Sequence, residues 1–271
     1  MTVSIEKSGS VWTIIHNRPE ARNAMDPESA DALQAAFLEF DADDAADVAV
    51  FYGEGGAFCA GWDLKYASSL SSTEEISDLE FPHAPENPGN GNTLPRGPMG
   101  PSRLALSKPV IGAIAGPAVA GGMELALWCD CRVMEESAYL GVYCRRWGIP
   151  LLDGGTVRLP RLVGTGRALE IAMTGRKVPA QECLAIGLCE KVVPNGTCRE
   201  AAEAMAHEIA RFPQECVRVD RASIYAQRGK DYWEAMEAEW RRGIDVVNKE
   251  GIAGAGRFSG GAGRSGNFDN I

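Results

Sequence analysis

The sequence predicts an α/β core that gives way to a run of helices. Two observations carry this. Up to Val193, short β-rich segments come in pairs and alternate with amphipathic helical stretches, the pattern of a layered α/β domain. From 198 to 250 the spacing is almost wholly helical.

Each element has a local reason. Residues 3–6 and 11–16 are β-rich and flank a Ser-Gly-Ser turn, so a hairpin is expected. Asn17-Arg18-Pro19 breaks the second strand. Asp26-Pro27 supplies an N-cap and a proline at the first helical position. Ala30, Leu33, Ala36, Phe37 and Phe40 then recur at helical spacing. Residues 48–52 form a short apolar strand closed by Gly53, Gly55 and Gly56. Residues 66–104 change character: a short helix capped by Ser72 or Thr73 precedes a stretch too dense in Pro, Gly and Asn for a regular element. This segment reads as a mobile insertion beside the site.

Order returns at Lys108-Pro109. Residues 110–114 are an apolar strand, 116–122 a small-residue turn, and 123–129 a helix. Strands are expected at 131–134, 139–143 and 189–193. Helices are expected after Asp153-Gly154-Gly155 and near 165–173 and 179–186. Three more, at 199–211, 214–227 and 232–249, complete the chain, and the glycine-rich tail from Gly254 is expected to fray.

The composition of the 271 residues, 45% hydrophobic and 24% charged, is that of a globular protein. No apolar run reaches bilayer length, and the start lacks the apolar core of a signal peptide, so a cytoplasmic protein with no membrane partner is expected. The formal charge of −10 argues against a nucleic-acid partner, which needs clustered Lys and Arg. That charge is local. Residues 26–47 hold eight acids and no Lys or Arg, and residues 66–95 hold five acids and again no base. Elsewhere bases outnumber acids, and Arg18, Arg22, Lys65 and Lys108 mark a local basic path. The eight cysteines show no CxxC spacing, so buried thiols are expected and a zinc or disulfide framework is not.

Two small-residue turns draw chemical interest, at 57–65 and at 118–124. A helix start leaves N–H groups without partners, which makes Gly121 N–H an anion donor or a simple packing device. Brought together, two such turns would form an oxyanion hole. Glu124 sits in the first turn of an apolar helix. Desolvation there would suit it to acid/base work, while the helix dipole would equally favour it as a capping carboxylate. The only histidines are His16, His83 and His207, and no GxSxG elbow accompanies them, so a Ser-His-Asp triad is hard to build and is not expected. No metal-ligand set stands out, and neither GxGxxG nor GK[ST] occurs.

Six stretches fit jointly in order and spacing: 17–24 (Asn-Arg-Pro-Glu-Ala-Arg-Asn-Ala), 57–65, Lys108-Pro109-Val110, 118–130, Gly154-Gly155-Thr156 with Arg158-Leu159, and Leu162-Val163-Gly164. On these the chain resembles the crotonase (enoyl-CoA hydratase/isomerase) superfamily over nearly its whole length. The resemblance implies a spiral of ββα units over 1–197 and a C-terminal helical region, 198–271, that drives assembly into a trimer or a dimer of trimers. It implies an acyl-CoA thioester as substrate and no cofactor beyond it. The thioester enolate would be held by the backbone N–H groups of Ala60 and Gly121. Gly61, Trp62, Asp63 and Lys65 would lie along the CoA, with Ala21 and Arg22 near its adenosine end. Glu124 falls on the first of the two glutamates that hydratases use, and Cys144 stands where the second belongs, a departure best read as a packing thiol. Asp153 lies near a position where some members place a catalytic aspartate; it either assists Glu124 or caps the helix opening at Gly154. The implied reaction is hydration of a 2-enoyl-CoA, with double-bond isomerisation or a silent acyl-CoA-binding protein as alternatives.

Overall fold

The structure of the protein is a computed structural model that describes residues 2–82, 94–263 and 266. The first hairpin is β1 (Val3–Ser8) against β2 (Val11–His16), with Ile5 opposite Ile14. β3 (Val48–Gly53) pairs in parallel with the other edge of β2, which is buried along its whole length. β4 (Val110–Ile114), β6 (Cys131–Glu135) and β9 (Lys191–Val193) extend this sheet in parallel, in the order β1-β2-β3-β4-β6-β9. A smaller sheet holds β5 (Pro117–Val119), β7 (Tyr139–Gly141) and β8 (Val178–Pro179).

The winding is repetitive. β4 enters the large sheet, β5 the small one, and α3 (Gly121–Trp128) follows. β6 and β7 repeat the step and lead to α4 (Gly155–Val163). The first of these turns sets the start of α3 directly after the end of β5.

α1 (Pro27–Ala42) opens as its sequence requires: Asp26 Oδ1 accepts Ser29 N–H at 2.9 Å and Pro27 takes the first helical position. Its apolar stripe, from Ala30 to Phe40, is buried against the sheet. Phe37 meets Phe51 and Trp128 edge-on, with ring centroids 5.4 and 4.9 Å away, which ties α1 to β3 and α3. On the opposite face α7 (Cys198–Ala210) lays Cys198, Ala202 and Ala206 onto Val11, Val48 and Val50. α7 thus belongs to the packing of the sheet, although the expected division placed it with the terminal helices. The three helices that follow, α8 (Gln214–Ala226), α9 (Tyr232–Val246) and α10 (Ile252–Ser259), have no buried residue. The glycine-rich tail is therefore helical as far as Ser259, joined to α9 by a π-turn at Val247–Gly251.

The insertion departs from expectation in its described parts. α2 (Leu64–Ser69) begins it, capped by Asp63, and a 3-10 turn, Thr73–Leu79, follows with Ser72 as cap. Residues 83–93, with His83, lie outside the described residues. On the far side Met99, Ser102 and Leu104 are buried. A composition dense in Pro and Gly forbids a regular element, but it does not forbid burial. α5 (Thr165–Thr174) and α6 (Ala180–Ile186) complete the core. The cysteines are buried apart from the half-buried Cys131 and the exposed Cys216.

Candidate active site

The two small-residue turns are brought side by side. Cys59 and Ala118 form a parallel bridge in which Cys59 N–H donates to Pro117 O at 3.2 Å and Val119 N–H to Cys59 O at 3.0 Å. The approach requires glycine: a Cβ on Gly122 would lie 2.1 Å from Cys59 O, and one on Gly61, at φ +95°, would lie 2.7 Å from Ala120 Cβ. α3 starts at Gly121, earlier than the expected Met123. Its N-cap, Ala120, adopts φ +55°, a strained conformation for a residue other than glycine. Gly121 N–H has no acceptor among the described residues.

Ala60, expected as the second donor, is not available for that role. Its N–H donates to the Arg22 carbonyl at 3.0 Å. Two residues on, Met25 bridges Trp62 in parallel. Met25 N–H donates to Gly61 O at 2.7 Å, and Asp63 N–H donates to Met25 O at 2.8 Å. Such a bridge leaves the central residue's own N–H directed away from its neighbour. Trp62 N–H has no acceptor among the described residues. The second free N–H of the site is therefore that of Trp62. Trp62 and Gly121 line a cavity of about 80 Å³ together with Met99, Glu124, Cys144 and Asp153.

Both acids of the cavity are buried. Glu124 Oε1 accepts the N–H groups of Asp153 and Gly155, at 2.9 and 2.8 Å. Glu124 thus caps α4, a helix other than its own. Asp153 does not cap α4: its Oδ1 accepts Met99 N–H at 3.1 Å and the Ser102 hydroxyl. Arg158 fixes the backbone behind this pair, donating to Asp153 O and Ser102 O, each at 2.7 Å. Burial, and then the Asp153 charge, push Glu124 up to about 7, although the cap N–H groups favour its ionised form. Burial also raises Asp153, opposed by its bonds to Ser102 and Met99. Cys144 sits on a 3-10 turn, Tyr143–Trp147, as a buried part of the cavity wall. Burial and the nearby Glu124 push its thiol up, so it stays neutral.

A second group of expected residues gathers at the surface. Ala21, Arg22, Asp63 and Lys65 line a cleft of about 370 Å³ with Arg18. Asn23, at φ +55°, anchors it: its side chain donates to Glu54 O at 2.8 Å and Ala57 O at 2.7 Å. The Asp63 carboxylate is already engaged, capping Lys65 N–H at 2.9 Å and pairing with Arg18 at 3.0 Å. Both contacts hold the turn that shapes the cleft. Lys108 does not belong to the basic path. It is buried, and its Nζ donates to Phe40 O at 3.0 Å and Asp43 O at 2.6 Å. Arg22 and Lys65 remain as its cations.

Met99 and Ser102 were not singled out by sequence. They come from the Pro- and Gly-rich stretch, which offers no periodicity to read. Among the described residues no group of three or more His, Cys, Asp or Glu is placed to hold a metal ion. No helix among them is long and apolar enough to cross a membrane.

A family model described as enoyl-CoA hydratase/isomerase matches residues 6–82 and 102–256. The chain belongs to the enoyl-CoA hydratase/isomerase family. The gap in the match falls inside the insertion. Within this family the chain is similar to enoyl-CoA hydratase EchA19 of Mycobacterium tuberculosis, 31% identical over 249 residues, or 89% of this chain and 87% of that one. It is also similar to carnitinyl-CoA dehydratase of Proteus mirabilis, 37% identical over 204 residues, or 74% and 72% of the two chains. A crystal structure of an enoyl-CoA hydratase from Mycobacterium tuberculosis H37Rv matches with a TM-score of 0.82 at 30% identity, covering 94% of this chain and 96% of that one. One from Bacillus anthracis matches with a TM-score of 0.81 at 30% identity, covering 96% of each. The ββα winding is thus the crotonase-type fold, and the chain is an enzyme of the hydratase/isomerase type.

Proposed function

We propose that the chain is an enoyl-CoA hydratase that adds water reversibly to a 2-enoyl-CoA to give a 3-hydroxyacyl-CoA. One observation carries this reading. Two buried carboxyls, both raised, share one cavity with two N–H groups that have no acceptor among the described residues. The thioester oxygen sits between Trp62 N–H and Gly121 N–H. As water adds to the β-carbon, electron density moves onto that oxygen, and the donors hold the enolate more strongly than the ground state. Glu124 is anchored through Oε1, so Oε2 is the oxygen that takes the proton of the attacking water. A carboxyl at about 7 is partly ionised at neutrality, as a general base requires. Asp153, also raised by burial, shares a proton with Glu124 as one coupled pair and delivers it to the α-carbon when the proton is on Asp153. A proton passed from Glu124 to Asp153 then restores the starting state.

Arg22 and Lys65 face the CoA phosphates, and no cofactor beyond the thioester takes part. The protein works in the cytoplasm as a homotrimer or dimer of trimers. The exposed Tyr232, Trp233, Trp240 and Phe258 on α9 and α10 supply an apolar surface for that assembly. Isomerisation is the second reading, favoured by Cys144 in place of a second glutamate.

Incubation with a 2-enoyl-CoA and a 3-enoyl-CoA, followed by mass spectrometry, tests the proposal. Gain of one water by the 2-enoyl-CoA is expected. Migration of the double bond at unchanged mass, without hydration, would replace the hydratase by an isomerase. No product and no deuterium uptake at the α-carbon would leave an acyl-CoA-binding protein.

A further inference from the structure

A second and larger cavity, of about 680 Å³, shares Leu152 and Asp153 with the catalytic one. Its walls come from α3, α4, α8 and the segment around Ser102. They combine two chemistries. Leu104, Leu127 and Leu162 give an apolar surface, and six arginines give charge. Two of the six are neutralised: Arg132 pairs with Glu190 at 2.8 Å and Arg221 with Asp130 at 2.9 Å.

The other four, Arg103, Arg158, Arg161 and Arg228, have no carboxylate partner in an ion pair among the described residues. Arg158 donates to the carbonyls of Asp153 and Ser102, and Arg103 to those of Leu79 and Pro95. Carbonyls satisfy donors without cancelling charge. Arg103 Nε is buried and has no hydrogen-bond partner among the described residues. Apart from Asp130, which Arg221 occupies, the one acid in the lining is Asp153, and it belongs to the catalytic pair. Arg103 and Arg158 are half-buried and so incompletely solvated, Arg161 and Arg228 are exposed, and an anion entering between the four would relieve their mutual repulsion.

We propose that this cavity receives the distal end of the substrate's acyl group, and that this end carries a carboxylate. The substrate class is then an ω-carboxy-2-enoyl-CoA. The leucines cover its methylenes, and the guanidinium forks hold its terminal carboxylate. This assignment rests on the proposed reaction for the placement of the thioester, but its test does not depend on turnover.

The test is calorimetric binding of saturated acyl-CoAs to the full chain. Adipyl-, suberyl- and sebacyl-CoA are each compared with the methyl-ended hexanoyl-, octanoyl- and decanoyl-CoA. At least one carboxylate-ended ligand is expected to bind about tenfold or more tightly than its methyl-ended equal. Arg161 and Arg228 make no bond to Glu124 or Asp153, so a folded Arg161→Gln/Arg228→Gln variant isolates the effect. It is expected to lose the preference while holding methyl-ended ligands within about twofold. Equal or weaker binding of every carboxylate-ended ligand overturns the proposal, as does a preference that survives in the variant. Free suberate binding alongside octanoyl-CoA also overturns it, because that would mark a separate anion site. Selective binding by a protein that hydrates no enoyl-CoA would refute the proposed reaction and leave this assignment standing.

Discussion

Replacing Glu124 by Gln removes a charge while keeping an oxygen that can accept the N–H groups of Asp153 and Gly155. The effect on stability follows from the titration of the native carboxyl. Burial, with help from Asp153, moves it from 4.5 to about 7, whereas in the unfolded chain it returns to 4.5. Between those two pH values the folded protein keeps a proton that the unfolded chain has lost. Folding is then linked to proton binding, and the free energy of unfolding falls as the pH rises. At about 1.4 kcal/mol per pH unit, that interval amounts to about 3 kcal/mol. The loss is absent below pH 4.5 and complete above about pH 7. Glu124→Gln escapes it. Urea unfolding of both proteins over a pH series checks this, at one protein concentration because assembly would shift apparent stability. The variant should gain about 3 kcal/mol relative to wild type on going from about pH 4 to about pH 8, while kcat falls by about 10²–10⁴. A stability difference that does not change with pH refutes the burial argument. Full turnover by the variant refutes the acid/base role.

Gly121→Ala brings a Cβ to 2.4 Å from Met99 Sδ and displaces the N–H beside it. Steady-state kinetics should show kcat falling about 10²-fold, and an unchanged kcat would remove Gly121 from the oxyanion hole. Cys144→Ala should hydrate within about threefold of wild type because the thiol is neutral, and a loss of about 10²-fold or more would give it a chemical role. Lys108→Met removes one buried and one half-buried hydrogen bond, so thermal unfolding should show a loss of about 1–3 kcal/mol with acyl-CoA affinity unchanged. Arg22→Ala should do the reverse. Titrations at several salt concentrations should give weaker acyl-CoA binding with a shallower salt dependence, and Tm should hold.

What the sequence revealed was local. Asp26, Pro27 and the apolar spacing to Phe40 define α1 without any distant partner, and the β-rich run at 11–16 does the same for β2. α2 escaped notice because its cap, Asp63, sat inside a turn read for its ligand contacts. In the site, Glu124 and Gly121 were legible because one helix start fixes both. The choice between Ala60 and Trp62 was not. It turns on which N–H groups Arg22 O and Met25 consume, and no pattern within residues 57–65 encodes that pairing. Lys108 misled for a related reason: a lysine beside a family motif looks like a phosphate ligand until its Nζ is found on two backbone carbonyls.

The thiol at Cys144 and the acid at Asp153 line the same cavity as Glu124. Glu124 accepts the backbone N–H of Asp153 itself, so the first acid positions the second. Asp153 is then held by Met99 and Ser102, and Arg158 joins the carbonyls of Ser102 and Asp153. The two carboxyls thus form one hydrogen-bonded unit in a cavity of about 80 Å³, and each is raised by burial. A third carboxyl at position 144 would add a like charge beside Glu124 and raise it beyond about 7, away from the range in which it can act as a base at neutrality. A neutral thiol avoids that repulsion. In the proposed reaction, where Asp153 is the second acid, an uncharged residue at 144 spares Glu124 a further upward push.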